Sequence, residues 1–248
     1  MTLAVYFIAI VGLDLAVRQA GRISLGQGAF MAIGAYSSAI LVVHHGLSCI
    51  ETVPIAAAIA GAVGLVCELA SGRYLPVVTL GGALALPWGL ERLDGTAGVS
   101  FSPVRHGAVI GWAVAVVLFL VAWALTASRF GRALRAVRDN ELAAAAAGVN
   151  RVAYRATAVA LASAYAGVAG SLLAIAAGHV DPATLPTRLS LLLLVGACVG
   201  LLGSLWGALL GAVVVRYLGD LVGTTHATFA FGVVLIAVVL AARAVRRL

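Results

Sequence analysis

The stretch VIGWAVAVVLFLVAWALTA (residues 109–127) holds no charge, and after only Ser128, Arg129 and Phe130 the chain turns to GRALRAVRDNELAAAAAGVN (residues 131–150). A helix of nineteen such residues rises about 28 Å, close to the roughly 30 Å of a bilayer's hydrocarbon core. Further runs of this kind lie at 55–70, 156–177 and 227–242. Across all 248 residues, 63% are hydrophobic and only 10% charged, with a mean hydropathy of +1.11. Soluble domains carry roughly 25% charged residues, so the chain is expected to live in a membrane. No period of two runs through its Ala, Leu, Val and Gly, which excludes a closed β-barrel. The reading is an all-α, polytopic transmembrane bundle of about eight to ten spans. It forms one domain, 1–248, with a polar loop at 128–155.

All 16 basic residues are arginine, a compositional bias with no bearing on nucleic acid, since no aromatic residues interleave with the charges. The net charge of +7 reads as topology, because basic residues collect in cytoplasmic loops. Taking 129–155 as cytoplasmic and counting outward puts 18–22, 71–73 and the tail on the same side. Segments 44–51, 91–106 and 178–187 fall outside, with 188–217 entering and leaving as a tight pair. Twelve arginines then lie inside and four outside. The count implies about nine crossings. Either a helix is missing upstream of Met1 or the run from Leu3 to Leu13, read as a first helix rather than a cleaved signal, does not span.

Two places argue for broken helices. RISLGQGAF (22–30) puts Ser24, Gly26, Gln27 and Gly28 at the start of an apolar span, where glycine weakens helix and polar groups need partners. In VGLLGSLWGALLG (199–211), two runs of about fifteen residues meet at Gly203 and Ser204. Each covers only about 22 Å, so the pair is either two strained spans or a re-entrant hairpin. Interrupted segments in both halves point to a midplane transport path; glycines such as Gly207 and Gly211 are equally suited to close helix contacts. Asp14 must face the bundle, a wet cavity or the interface, where Arg18 four residues on can pair with it; Glu68 has Arg73 nearby for the same purpose.

Enzyme chemistry finds no support. A phosphate-binding GxxxxGK[ST] cannot occur without lysine, HExxH and GxSxG are absent, and His44, His45, His106, His179 and His226 fall at loops or span ends. Cys67 and Cys198 lie in apolar runs and Cys49 in a loop, so neither a disulfide framework nor a metal site is expected.

The loop reads as one short helix. Arg132, Arg135 and Asp139 share a face, with Arg138 and Glu141 on a neighbouring one, so that Arg135 can pair with Asp139 and Arg138 with Glu141. Ala143 to Ala147 continue it to the stops Gly148 and Asn150. Composition allows either a helix lying on anionic lipid or a docking helix whose alanines seat closely in another protein.

The segment ELAAAAAG, within GRALRAVRDNELAAAAAGVN, resembles the cytoplasmic EAA-type loop of ABC importer permeases, in the form found in branched-chain amino acid permeases of the LivM type. ISLGQGAFMAIGAY, RYLPVVTLGG, DGTAGVS and GLLGSLWGALLGAVVV resemble further segments of that family in the expected order, so the similarity covers essentially the whole chain. It departs in lacking the extra N-terminal helix usual there, the Phe-Gly-Glu that often follows TLGG, the I-x-L-P end of the wider EAA pattern, and a proline at Ala208.

The resemblance implies a multi-pass permease of a prokaryotic cytoplasmic membrane, with its C-terminus inside. It would translocate branched-chain or related amino acids, with urea and short amides as relatives' substrates. Implied partners are two cytoplasmic ATPases, a LivH-type second permease and an external substrate-binding protein, besides membrane lipid; nucleic acid is not among them. The chain itself binds no cofactor, and ATP is used by a separate subunit. The coupling loop implied comprises Gly131, Arg132, Arg135, Arg138, Asp139, Asn140, Glu141, Ala144 and Gly148. Candidates for the translocation path are Asp14, Ser24, Gly26, Gln27, Gly28, Gly203 and Ser204. The competing reading is a stand-alone secondary transporter or channel using Asp14 or Glu68 as an ion site.

Overall fold

The computed structural model describes residues 1–94, 99–100, 107–180, 187–200 and 206–221. Its helices are α1 (Thr2–Asp14), α2 (Gln27–His45), α3 (Cys49–Ser71), α4 (Leu75–Asp94), α5 (Gly107–Ala127), α6 (Arg129–Asp139), α7 (Glu141–Ala146), α8 (Arg151–Ala177), α9 (Thr187–Gly200) and α10 (Gly207–Leu221). A two-residue antiparallel pair joins β1 (Val99–Ser100) to β2 (His179–Val180), with Val99 opposite Val180. Five segments are long and apolar enough to cross a membrane: Thr2–Gln19, Gln27–His45, Cys49–Ser71, Gly107–Ala127 and Arg151–Ala177. The bundle is thus the all-α polytopic fold expected, and the first apolar run, which could have fallen short of a span, is one of its members. The candidate run at 227–242 lies outside the described residues, as do Gly203, Ser204, His106 and His226.

α8 forms the centre, packed along α3, α2 and α1. Ile8, Ile10, Leu13, Met31, Leu172 and Leu193 are among its fully buried neighbours and members. Between apolar helices in lipid no hydrophobic force favours contact, so association rests on close packing. Small residues supply it here. The backbone of α2 at Met31 lies directly against Gly170, and Gly167 sits against Gly34 on one side and Ala56 and Ala60 of α3 on the other. Where α9 meets α10, Gly196 and Gly211 touch in the same way, so Gly211 makes a close helix contact. α9 and α10, of 14 and 15 residues, are the short adjoining pair the sequence led us to expect.

Helix ends follow local chemistry. Ser48 caps α3 through a reciprocal box, its Oγ accepting from the Glu51 N–H at 3.4 Å while its own N–H donates to Glu51 Oε2 at 3.1 Å. Cys49, expected in a loop, is therefore the first residue of that helix. Gly46 and Gly178 end α2 and α8 in the left-handed conformation, with φ of 63° and 70°. α1 does not simply stop: it passes into a π turn at Leu15–Gln19, which the sequence did not signal.

The close approach of α8 to α2 predicts that Gly170→Val will lower the thermal unfolding midpoint of the detergent-purified protein, by the equivalent of about 1–3 kcal/mol for overpacking. Gly81→Val, where an added Cβ meets nothing within 4 Å, should leave that midpoint within a degree or two.

Candidate functional site: an arginine-pinned loop above a polar seam

The loop 128–155 is two helices. Asn140 leaves the helical conformation (φ −153°, ψ 104°), and its Oδ1 accepts from the N–H groups of Leu142 and Ala143 at 3.1 and 3.0 Å. The single helix expected here is thereby corrected: asparagine gains more as an N-cap, satisfying two free donors, than as a mid-helix residue. Gly148 (φ 81°) then turns the chain, and Asn150 caps α8 by accepting from the Ala153 N–H at 3.2 Å.

α6 is amphipathic. Its Leu134 and Val137 are buried; Leu134 packs with Ala20 and Ala158, flanked by Phe130 and Tyr154, whose rings stack at 5.5 Å. Gly131 lies against the backbone of Leu125 and Thr126, leaving no room for a side chain. The pairings foreseen along the helix do not form. Arg135 donates instead to Gln19 Oε1 at 2.9 Å and to the Thr126 carbonyl at 3.1 Å, and Arg138 bonds the Arg18 carbonyl and Asp139 Oδ1, the latter at 2.9 Å. Arg132 donates to the Ala127 carbonyl at 3.2 Å. Glu141 takes Arg151, at 3.4 Å, and Arg155. Partners from α1 and α8 win because they offer neutral carbonyls and charges left bare at helix ends, which an i,i+4 contact on a solvated face would leave unsatisfied.

α6 and α8 are thereby tied to the π turn of α1 and to α7 respectively. The outer surface of α7 stays open, with Leu142 77% exposed and Ala143, Ala145 and Ala146 exposed, while Ala144 faces inward. The same end of the bundle holds Arg22, bonded to the Gly72 carbonyl and paired with buried Glu68 at 2.6 Å. Arg22, approaching from the segment before α2, shields this carboxylate within the protein; the side chain of Arg73, the partner expected for Glu68, lies outside what the structure describes. Asp14 does pair with Arg18, at 2.9 Å, and is only 4% exposed within the protein.

Below this end lies the break at 20–26. Ser24 and Gln27 are buried. Gln27 Nε2 donates to the carbonyls of Ala9 on α1, at 3.1 Å, and Ala162 on α8, at 3.2 Å. The Gly28 N–H donates to Ser190 Oγ of α9 at 2.9 Å and the Leu25 N–H to Thr79 Oγ1 of α4 at 3.2 Å; Gly26 packs on Thr79 and bonds Ser24 Oγ at 3.4 Å. Irregular backbone here is tolerated because side chains of α4 and α9 satisfy its N–H groups, while carbonyls of α1 and α8 satisfy the Gln27 amide. Gln27 Oε1 is buried without a hydrogen-bond partner among the described residues. Thr79, Ser190 and Gln19 were missed at the sequence level; Thr79 is a lone hydroxyl in an apolar run, which was an available signal, whereas Gln19 beside Arg18 and Ser190 close after Arg188 carried none of their own. At the opposite end a hollow of about 140 Å³ is lined by apolar Met1, Ile50, Val53, Pro54 and Leu172.

Arg155, with help from Arg151, holds the Glu141 carboxyl below the usual range near 4.5. A lowered folded-state pKa means that this contact stabilises the loop at neutral pH and is lost as pH falls through it. Amide exchange across 141–150 should therefore be faster in Glu141→Gln than in wild type at pH 7, and the difference should close as pH falls below the ordinary glutamate range.

The family model described as the permease component of branched-chain amino acid transport systems matches residues 1–243. Among curated proteins, the chain is 30% identical to the high-affinity branched-chain amino acid transport system permease protein LivM of Salmonella typhimurium and to the protein of the same name from Escherichia coli, over 84% of its own length in each case. It spans 59% of the length of these relatives. No solved structure matches significantly. With a bundle of apolar helices, a polar break within it and an arginine-pinned loop at one end, the chain belongs to the family of branched-chain amino acid transport permease components.

Proposed function

We propose that the chain is a transmembrane subunit of an ABC importer in a prokaryotic inner membrane, translocating branched-chain or related amino acids. Separate ATPases dock on the loop from the cytoplasm, a second permease completes the path, and an external binding protein delivers the solute; the chain holds no nucleotide itself, and its C-terminus is cytoplasmic. The family and the names of the relatives support the substrate class.

The observation that carries this reading is the way α6 grips α1. Arg135 and Arg138 reach across 116 and 120 residues of sequence to Gln19 and to the Arg18 carbonyl, while the small-residue surface of α7 stays exposed for a partner. A push on α7 passes through Glu141 to Arg151 and Arg155 of α8, and through α6 to the π turn. The break before α2 begins one residue later. Movement of the π turn thus reaches Ser24, Gly26, Gln27 and Gly28, our candidates for the path, where the buried Gln27 Oε1 would meet a solute's N–H donor only once the seam parts. Asp14 is the weakest member of the set, as Arg18 already occupies it. A carboxylate-driven secondary transporter draws no support from this arrangement, since both Asp14 and Glu68 are held in ion pairs.

Purified in mild detergent from its own membranes, the tagged wild-type chain is expected to bring an ATPase and a second permease with it. Leu142→Asp, which alters only an exposed side chain, should lose the ATPase by tenfold or more while keeping the thermal midpoint; Glu141→Arg with Gly148→Trp should lose it as well. A chain that purifies alone and moves amino acid into vesicles without ATP would overturn the importer.

A further inference from the structure

A cleft of about 380 Å³ opens where the last turn of α5, the π turn of α1 and α6 meet, lined by Arg18, Gln19, Trp123, Thr126, Arg135 and Trp206 among others. Its charge is unbalanced. Arg18 is matched by Asp14 and Arg138 by Asp139, but the hydrogen-bond acceptors of Arg135 and Arg132 are all neutral: Gln19, Thr126 and Ala127. Ala127 lines the cleft, and Arg132 is bonded to its carbonyl. These arginines also cover the last carbonyls of α5, whose partial negative charge would otherwise repel an anion.

The cleft continues into an apolar strip. Val116, Leu120 and Trp123, spaced as i, i+4 and i+7, are exposed on one face of α5 above Ala127, with Val117 and Val121 beside them. Trp123 and Trp206, both exposed, stand at the charged mouth, where indole rings sit at a membrane interface. Two uncompensated guanidiniums, an aromatic rim and an adjoining acyl-length strip match one ligand chemistry in full, a phosphodiester carrying a hydrocarbon tail. A free anion would use the arginines and leave the strip empty.

We propose that this cleft binds the headgroup of an anionic phospholipid, whose acyl chain lies along α5. The lipid would hold α6 against α5 and α1 from the bilayer side. The site does not depend on the transport reading above, because it needs no partner subunit.

The test is native mass spectrometry and thermal melting of the full chain in detergent with dioleoylphosphatidylglycerol, dioleoylphosphatidylcholine or inorganic phosphate. Phosphatidylglycerol should bind and raise the midpoint, while phosphatidylcholine and phosphate should not. Arg132→Gln and Arg135→Gln should each weaken phosphatidylglycerol binding about fivefold; Arg132→Lys should retain it. Arg132 is exposed and bonds only a helix-end carbonyl, so its glutamine variant keeps the experiment informative if Arg135→Gln fails to fold. Equal binding of the two lipids, undiminished binding by Arg132→Gln, or an equal shift with phosphate alone would overturn the proposal. So would a second permease chain that co-purifies and excludes phosphatidylglycerol from the cleft.

Discussion

Backbone N–H and C=O groups have no water to bond within a bilayer, and the break between the π turn of α1 and the start of α2 would be untenable in lipid. Much of the architecture follows from enclosing it. α1, α4, α8 and α9 converge on residues 20–28, each lending a partner: the Ala9 and Ala162 carbonyls for Gln27, Thr79 for Leu25, Ser190 for Gly28. The two most enclosed candidate spans, Thr2–Gln19 and Arg151–Ala177, flank the break directly. α5 by contrast turns most of its surface outward.

Enclosure requires helices to approach closely, and here the glycines and alanines of α8 matter more than its larger residues. Met31 against Gly170, and Gly34 against Gly167, bring backbones into contact so that a side-chain amide as short as that of Gln27 can reach carbonyls on two helices at once. Buried hydrogen bonds and small-residue packing are therefore one device. A wider helix spacing would leave Gln27 Nε2 unsatisfied as well as Oε1.

Charge is handled at one end of the bundle. Arg22, Arg135, Arg138, Arg151 and Arg155 all bond groups from other segments or helix-end carbonyls, and the carboxylates Asp14, Glu68 and Glu141 are each held by an arginine. The loop is in this way joined to α1 through α6 and to α8 through α7. This connection joins an exposed surface to the polar seam, as the importer proposed above would require.

The class of the fold, the position of most spans, the weak helix at 22–28 and the charged cytoplasm-type loop were legible in the sequence, because hydrophobic length, glycine, stray polar residues and clustered arginine act locally. Partner choice was legible for Asp14 and Arg18 but not for most of the rest. Arg135 goes to Gln19 and not Asp139, Arg22 holds Glu68, and Glu141 goes to α8 and not Arg138. Asn140 splits the loop helix, and α1 ends in a π turn. Side-chain pairing along one helix is only a few tenths of a kcal/mol better than water, so a partner delivered by packing from a distant segment displaces it. Local chemistry determined where the polar groups stand; only the tertiary structure, by bringing helices to contact, decided what each one holds.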